Sequence, residues 1–146
     1  MTRPFDAQAA QNAFDTALRE QQPDFGVFFL ARFYGLEFTY PGEECVVRFP
    51  VRDFMFNPQG SLHGGVAAFV LDVSMGHLLR NALGSAGTTM EMKTQFFRPI
   101  LGPDARCEAR FLHKGKSVCF LEARIYDSNG ILAAAATSTW RVLRQP

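Results

Sequence analysis

Asn57-Pro58-Gln59-Gly60-Ser61-Leu62-His63-Gly64-Gly65-Val66-Ala67-Ala68-Phe69-Val70-Leu71-Asp72 is the stretch on which the fold turns. Asn57-Pro58 and Gly60 punctuate a loop that runs from Asp53. Leu62 to about Ala82 is the longest helical candidate. Val66, Phe69, Val70, Val73 and Leu78 recur there at helical spacing, and Gly84 can end it. Two glycines in the first turn of a helix cost about 1 kcal/mol each relative to alanine. Such a cost suggests that something must approach the backbone closely. The Gly64 N–H could point at a carbonyl oxygen, with the positive end of the helix dipole behind it, which is the physics of an oxyanion hole.

Asp72 interrupts an otherwise apolar run, Val66 to Val73. It lies either on a solvent-facing stripe or at a lined cavity. In a semi-buried setting it becomes a candidate base or nucleophile. Residues 64 and 72 are two helical turns apart, roughly 12 Å along the axis. One helix therefore cannot easily bring both to one carbonyl carbon, and a neighbouring subunit could supply the other half.

Before this core helix, Asp6 to Glu20 reads as a helix capped by Asp6. Gln21-Gln22-Pro23-Asp24 breaks it. Phe25 to Tyr34, rich in aromatics, suits a short helix ended by Gly35; core packing or a subunit contact explains it as readily as a ligand. Leu36–Tyr40 and Glu44–Val51 read as a hairpin around Pro41-Gly42-Glu43. Beyond the core helix, Thr89–Phe96, Ala105–His113, Ser117–Tyr126 and Ile131–Leu143 read as strands, turned at Pro99, Gly102-Pro103, Lys114-Gly115-Lys116 and Asp127–Gly130. Two strands, a long helix and four strands make an α+β domain with the helix on one concave face of the sheet. The free face and edges invite a second copy, so a dimer or larger homo-oligomer is expected.

The chain is 146 residues long, 47% hydrophobic and 20% charged, which suits one domain with a normal core, read as spanning residues 1–146 with a helical extension over about 1–35. A net charge of +1 argues against nucleic acid as a partner. Cys45, Cys107 and Cys119 are odd in number and fit no metal motif; reduced thiols packed in strands suit a cytoplasmic protein. Met1 to Asp6 has no signal-peptide pattern, and no apolar run reaches the ~18 residues of a membrane span. His63 at a helix start reads first as a structural donor bracing the loop, with catalysis as the alternative. His77 and His113 have no partner pattern and read as structural or surface residues, and Trp140 as core or interface. No metal cluster and no Gly-x-Ser-x-Gly elbow is visible.

Asn57-x-x-Gly60-x-x-His63-Gly64-Gly65 followed by Leu71-Asp72 resembles the hot-dog thioesterases of the phenylacetate-pathway type, which include the human acyl-CoA thioesterase 13 subgroup. The resemblance extends over about residues 36–143. It implies a curved antiparallel sheet wrapped around the helix Leu62–Ala82, preceded here by an N-terminal helical segment, with sheets joined in dimers that often pair into tetramers. It implies acyl-CoA as substrate, so coenzyme A counts as substrate and no separate cofactor is implied. The family's carboxylate maps onto Asp72, its backbone donor onto Gly64, and its orienting loop residue onto Asn57. A hydroxyl that helps hold water maps most nearly onto Thr89, beside Thr88, and His63 supports the loop. The coenzyme A nucleotide is expected near Lys114, Gly115, Lys116 and Ser117, where two lysines suit phosphates and the glycine allows close approach. The alternatives are a hot-dog hydratase or dehydratase, a non-catalytic acyl-CoA-binding protein, or an interaction protein whose Asp72 is merely solvated.

Overall fold

The computed structural model describes residues 4–144, so Met1 to Arg3 and the last two residues lie outside the description. Helix α1 (Ala7–Glu20) begins at Asp6, whose carboxylate accepts the Ala9 N–H at 2.9 Å. Helix α2 covers only Phe29–Phe33; Phe25 to Phe28 form a turn instead of the helix expected from Phe25 onward. Then follow β1 (Glu37–Thr39), β2 (Glu44–Pro50), α3 (Gly64–Leu83), β3 (Gly87–Phe96), β4 (Asp104–Lys114), β5 (Val118–Asp127) and β6 (Leu132–Val142). Element type and order follow the sequence reading, with ends moved by a few residues. Helix α3 starts at Gly64 because His63, extended at φ −61° and ψ 133°, serves as its N-cap. It ends at Gly84, whose positive φ of 66° closes the last turn.

The strands form one antiparallel sheet in the order β1-β2-β4-β5-β6-β3. Consecutive hairpins join β4, β5 and β6, while β3 crosses to the far side of β6 and becomes an edge. Strand alternation sets the inner face: Cys45, Val47 and Phe49 on β2; Cys107 and Ala109 on β4; Leu121, Ala123 and Ile125 on β5. On β6 the inner face carries Ala134, Ala136, Ser138 and Trp140. Helix α3 lies across this face and touches β2 to β6. This is the hot-dog arrangement that the motif implied.

Helix α3 is apolar on more than one side, and two layers bury it. The sheet takes one side. The aromatic segment takes another, with Tyr34 and Phe28 packing on Phe69 at ring separations of 5.5 and 6.3 Å. By length and composition α3 could cross a bilayer, contrary to the expectation that no run was long enough, yet half of it is buried inside the fold as the core helix.

Trp140 locks the helix to β6 and β3. A Cβ on Gly76 would stand 2.9 Å from Trp140 Cη2, and one on Gly87 3.2 Å from Cε3 and 3.0 Å from Leu79. Gly76→Val should therefore cost about 1–3 kcal/mol through overpacking. Urea melts would measure the loss. A shift in the emission of Trp140, the sole tryptophan, would localise it to this contact.

All three cysteines are free and buried, as the odd count suggested. Burial pushes the Cys45 and Cys107 thiols up to about 12. Ellman's reagent at pH 8 should find no fast-reacting thiol in native protein and all three after denaturation.

Candidate active site

Asp72 sits half-buried on α3, eight residues after Gly64, and Thr89 of β3 donates a 2.6 Å hydrogen bond to its Oδ1. The resemblance assigns Thr89 the holding of a water; in the structure its hydroxyl goes to the carboxylate itself. Asp72 Oδ2 has no hydrogen-bond partner among the described residues. The carboxylate opens on a cavity of about 340 Å³ whose walls are mostly apolar. Asp72, Val73, Gly76 and His77 form the α3 wall, Trp140 comes from the sheet, and Pro23, Asp24, Phe25 and Phe28 close it from the N-terminal segment. The turn at Phe25 to Phe28, readable in sequence as simple core packing, is thus a cavity wall.

Gly64 lies in a different cavity, of about 350 Å³, with Asn57, Ser61, Phe96 and Arg98 among its lining. The two cavities share no lining residue. The α3 start explains what the Gly64 N–H can do. The N–H groups of Val66 and Ala67 bond to the His63 carbonyl at 2.9 and 3.1 Å, and that of Gly65 to His63 Nδ1 at 2.8 Å. The Gly64 N–H has no such partner among the described residues. It is one of the unfilled donors at the positive end of a 20-residue helix.

Three local assignments change. His63 does brace the loop, since its N–H bonds to the Met55 carbonyl at 2.8 Å. Its ring, however, accepts rather than donates, and it is why position 65 is glycine: a Cβ there would stand 3.1 Å from Nδ1. Gly64 is less crowded: a Cβ there would make ordinary contact with the Phe96 ring at 3.4 Å. Asn57 turns onto its own loop: Oδ1 accepts the Gln59 and Ser61 N–H groups at 3.0 and 3.2 Å, and Nδ2 donates to Ser61 Oγ at 3.2 Å. It shapes the cavity that holds Gly64 without reaching Asp72. At the β4–β5 turn, a Cβ on Gly115 would fall 2.3 Å from the Val118 carbonyl oxygen, so hairpin closure alone demands glycine. Lys114 is engaged with Glu43 at 3.4 Å and lies over the Phe111 ring, while Lys116 has no ion pair among the described residues. The Ser117 carbonyl accepts the Val142 N–H at 2.8 Å.

His77 was unremarkable in sequence and is central here. It is 3% exposed, stacks on Phe38 at 3.8 Å between ring centroids, and meets the Tyr40 hydroxyl at 3.1 Å through Nδ1. Burial lowers its pKa to about 4, with Asp24 pulling weakly the other way. Nothing in the sequence pattern marked it, because its partners come from β1 and from residues 24–28.

The antiparallel sheet around the central helix α3 defines a hot-dog domain, and the comparisons place it. The chain belongs to the thioesterase superfamily, whose model matches residues 59–134. An esterase candidate of Saccharolobus solfataricus is 31% identical over 102 residues, 68% of this chain and 72% of that protein. A Bacillus halodurans protein solved with CoA superposes with a TM-score of 0.85 at 25% identity, over 100% of this chain and 98% of that one. A candidate thioesterase of Ralstonia eutropha, titled a phenylacetic acid degradation-related protein, gives 0.75 at 26% identity over 90% and 100%.

The His77 shift has a signed consequence. The folded pKa of about 4 lies below the ordinary 6.5, so between these values the unfolded chain binds more protons. Stability from this residue is complete above pH 6.5 and is lost as pH falls toward 4, by up to ~3 kcal/mol. Urea melts from pH 7.5 to 4.5 should show this loss, and His77→Phe should remove much of it. A His77 imidazole resonance titrating near 6.5 in native protein would contradict it.

Proposed function

We propose that the chain is an acyl-CoA thioesterase whose site is completed across a homodimer. The Asp72–Thr89 hydrogen bond carries the reading, because it fixes a carboxylate at the mouth of an acyl-sized apolar cavity. The bonded Oδ1 orients the group and Oδ2 is left to take a proton from water. That water attacks the thioester carbonyl, the oxygen gains negative charge, and collapse of the tetrahedral intermediate expels the coenzyme A thiolate. A thiolate leaves readily, so one base and one oxyanion donor suffice. Direct attack by Asp72 on the carbonyl is the other route for the same carboxylate. The CoA-bound Bacillus neighbour supports the substrate class, and three unpaired thiols suit a cytoplasmic setting.

Strand β3 argues for where the second half comes from. It is a 10-residue edge strand paired only with β6, and Met90, Phe96 and Phe97 around it are more than half exposed. Such an edge invites pairing. Thr89 near one end touches Asp72, and Phe96 at the other end lies beside Gly64. Antiparallel pairing of β3 with its copy, about a two-fold axis at Lys93 and with the bulge between Thr89 and Glu91 taking up one residue, sets Thr89 opposite the partner subunit's Phe96. Asp72 then meets the partner subunit's Gly64, although the two are roughly 12 Å apart along one helix. The turn Lys114 to Ser117 is proposed for the coenzyme A phosphates, with Lys116 the freer charge.

Purified protein should release thiol from acyl-CoA esters, and Asp72→Ala should lower kcat/KM by at least ~100-fold. Binding without thiol release by the native protein would favour a non-catalytic acyl-CoA binder. The shared site is tested by mixing. Gly64→Pro removes the N–H and keeps the backbone path, since proline suits the first helical position and His63 already has the extended backbone proline requires, while its ring packs against Phe96. Each variant by itself should be inactive. Subunits exchanged between Asp72→Ala and Gly64→Pro should recover about a quarter of native activity, because half the dimers are mixed and each holds one intact site. No recovery after verified exchange would place both halves in one protomer. Lys116→Glu should raise KM for acyl-CoA with little change in kcat.

A further inference from the structure

Strict alternation along β3 would put Met90, Met92, Thr94 and Phe96 on one face of the sheet and Thr89 on the other. The register is different. Thr89 pairs with Trp140, while Met92, Thr94 and Phe96 pair with Ser138, Ala136 and Ala134. All four partners belong to the inner face of β6, and cross-strand neighbours share a face. Thr89 therefore shares its face with the even-numbered residues. The switch occurs at the bulge between Thr89 and Glu91, where Met90 is the extra residue, 60% exposed and passed over by the pairing. Without a bulge there, alternation continued from Met92 would bring Met90, not Thr89, opposite Trp140 and toward Asp72. The hydrogen bond to the carboxylate thus depends on one irregular residue in an edge strand.

Two hydroxyls of β6 hold that bulge. Ser138 is 3% exposed and stands in an inner-face row otherwise made of Ala134, Ala136 and Trp140. Its Oγ donates to the Glu91 carbonyl at 2.6 Å. Side chains of a regular strand stand roughly perpendicular to the sheet. A hydroxyl that bonds a carbonyl of the next strand therefore marks backbone turned out of the ladder, as happens at a bulge. An alanine would complete the apolar row, and the carbonyl explains the serine. On the outer face, Thr139 Oγ1 donates to Glu91 Oε1 at 2.6 Å. Glu91, which closes the bulge, is thus gripped by two consecutive residues, one on each face. Within the protomer β3 is tied on one side only, so its bulge could slide toward Gly87 without this grip.

We propose that Ser138 is a positioning residue for the reaction: with Thr139, it fixes the bulge at Met90 and so decides that Thr89, rather than Met90, meets Asp72. It acts through Glu91 and Thr89, without a bond of its own to Asp72. Its effect on rate rests on the thioesterase reading. Its effect on the surroundings of the Asp72 carboxylate does not, and can be read without substrate.

The test is a double-mutant cycle joined to a spectroscopic readout, with octanoyl-CoA and phenylacetyl-CoA as substrates. Melting temperatures establish that each variant is folded. Ser138→Ala should lower kcat ~10-fold with KM within ~2-fold of native, because substrate is held as before and only the carboxylate loses its orientation. Thr89→Val should lose a similar factor. The double variant should fall within ~2-fold of Thr89→Val alone, because both changes remove the same hydrogen bond. Losses that multiply to ~100-fold would make Ser138 independent of Thr89 and overturn the proposal. In the absence of substrate, the carboxyl carbon NMR resonance of Asp72, assigned with Asp72→Asn, should move in Ser138→Ala toward its position in Thr89→Val. Deleting Met90 from Ser138→Ala leaves plain alternation to turn Thr89 inward, and should bring the resonance back. A resonance unmoved by Ser138→Ala would overturn the proposal even with thiol released from both esters. If native protein releases no thiol from any acyl-CoA, the thioesterase reading falls and the resonance alone decides the role of Ser138.

Discussion

The burial of α3 is the constraint on which the rest of the molecule depends. A 20-residue helix with apolar side chains on several faces must be covered on several faces, and a sheet can cover only one. The six-stranded sheet curves under it, and the short aromatic helix and its preceding turn close over the opposite side. Small residues decide how tightly this closes. Gly76 and Gly87 leave the room that the Trp140 ring fills between the helix and the strands. Where the two covers meet imperfectly, beside Asp72, a cavity remains.

A carboxylate in such a helix is costly unless something meets its charge. Thr89 does so from the edge strand, which couples the reactive group to β3 and to whatever pairs with β3. The other chemical asset of α3, its unfilled N–H at Gly64, lies at the helix start against the opposite end of the same strand. In the proposed mechanism the helix carries two halves of a reaction centre, held apart by its own rise. The proposed dimer uses the edge strand that touches both.

Several residues proved legible in type but not in role. Gly64-Gly65 announced an unusual helix start, yet the two glycines have different causes: one is required by the His63 cap, and the other leaves a backbone donor open. Gly115 looked suited to phosphate approach and is demanded by hairpin closure. Asn57 carried the family motif and spends its side chain on its own loop. In each case the deciding contact is with a carbonyl, ring or amide whose position depends on turn geometry, which residue type alone does not specify.

Sequence by itself determined the elements, their order, the core helix and the residues of the Asp72 motif, because periodicity, turn residues and the His-Gly-Gly signature are local properties. It also supplied the argument from helical rise that one helix cannot easily bring its own Gly64 and Asp72 to one carbonyl. Only the tertiary structure decided that Thr89 grips Asp72, that β3 is an edge, and that Phe25, Phe28, His77 and Trp140 enclose the cavity. Those are contacts between segments from residue 23 to residue 140, and their partners are chosen by how the sheet and the aromatic segment close on α3. His77 shows the difference: in the chain it is one histidine in an apolar helix, and in the fold it is a neutral, stacked ring with one nitrogen unpaired.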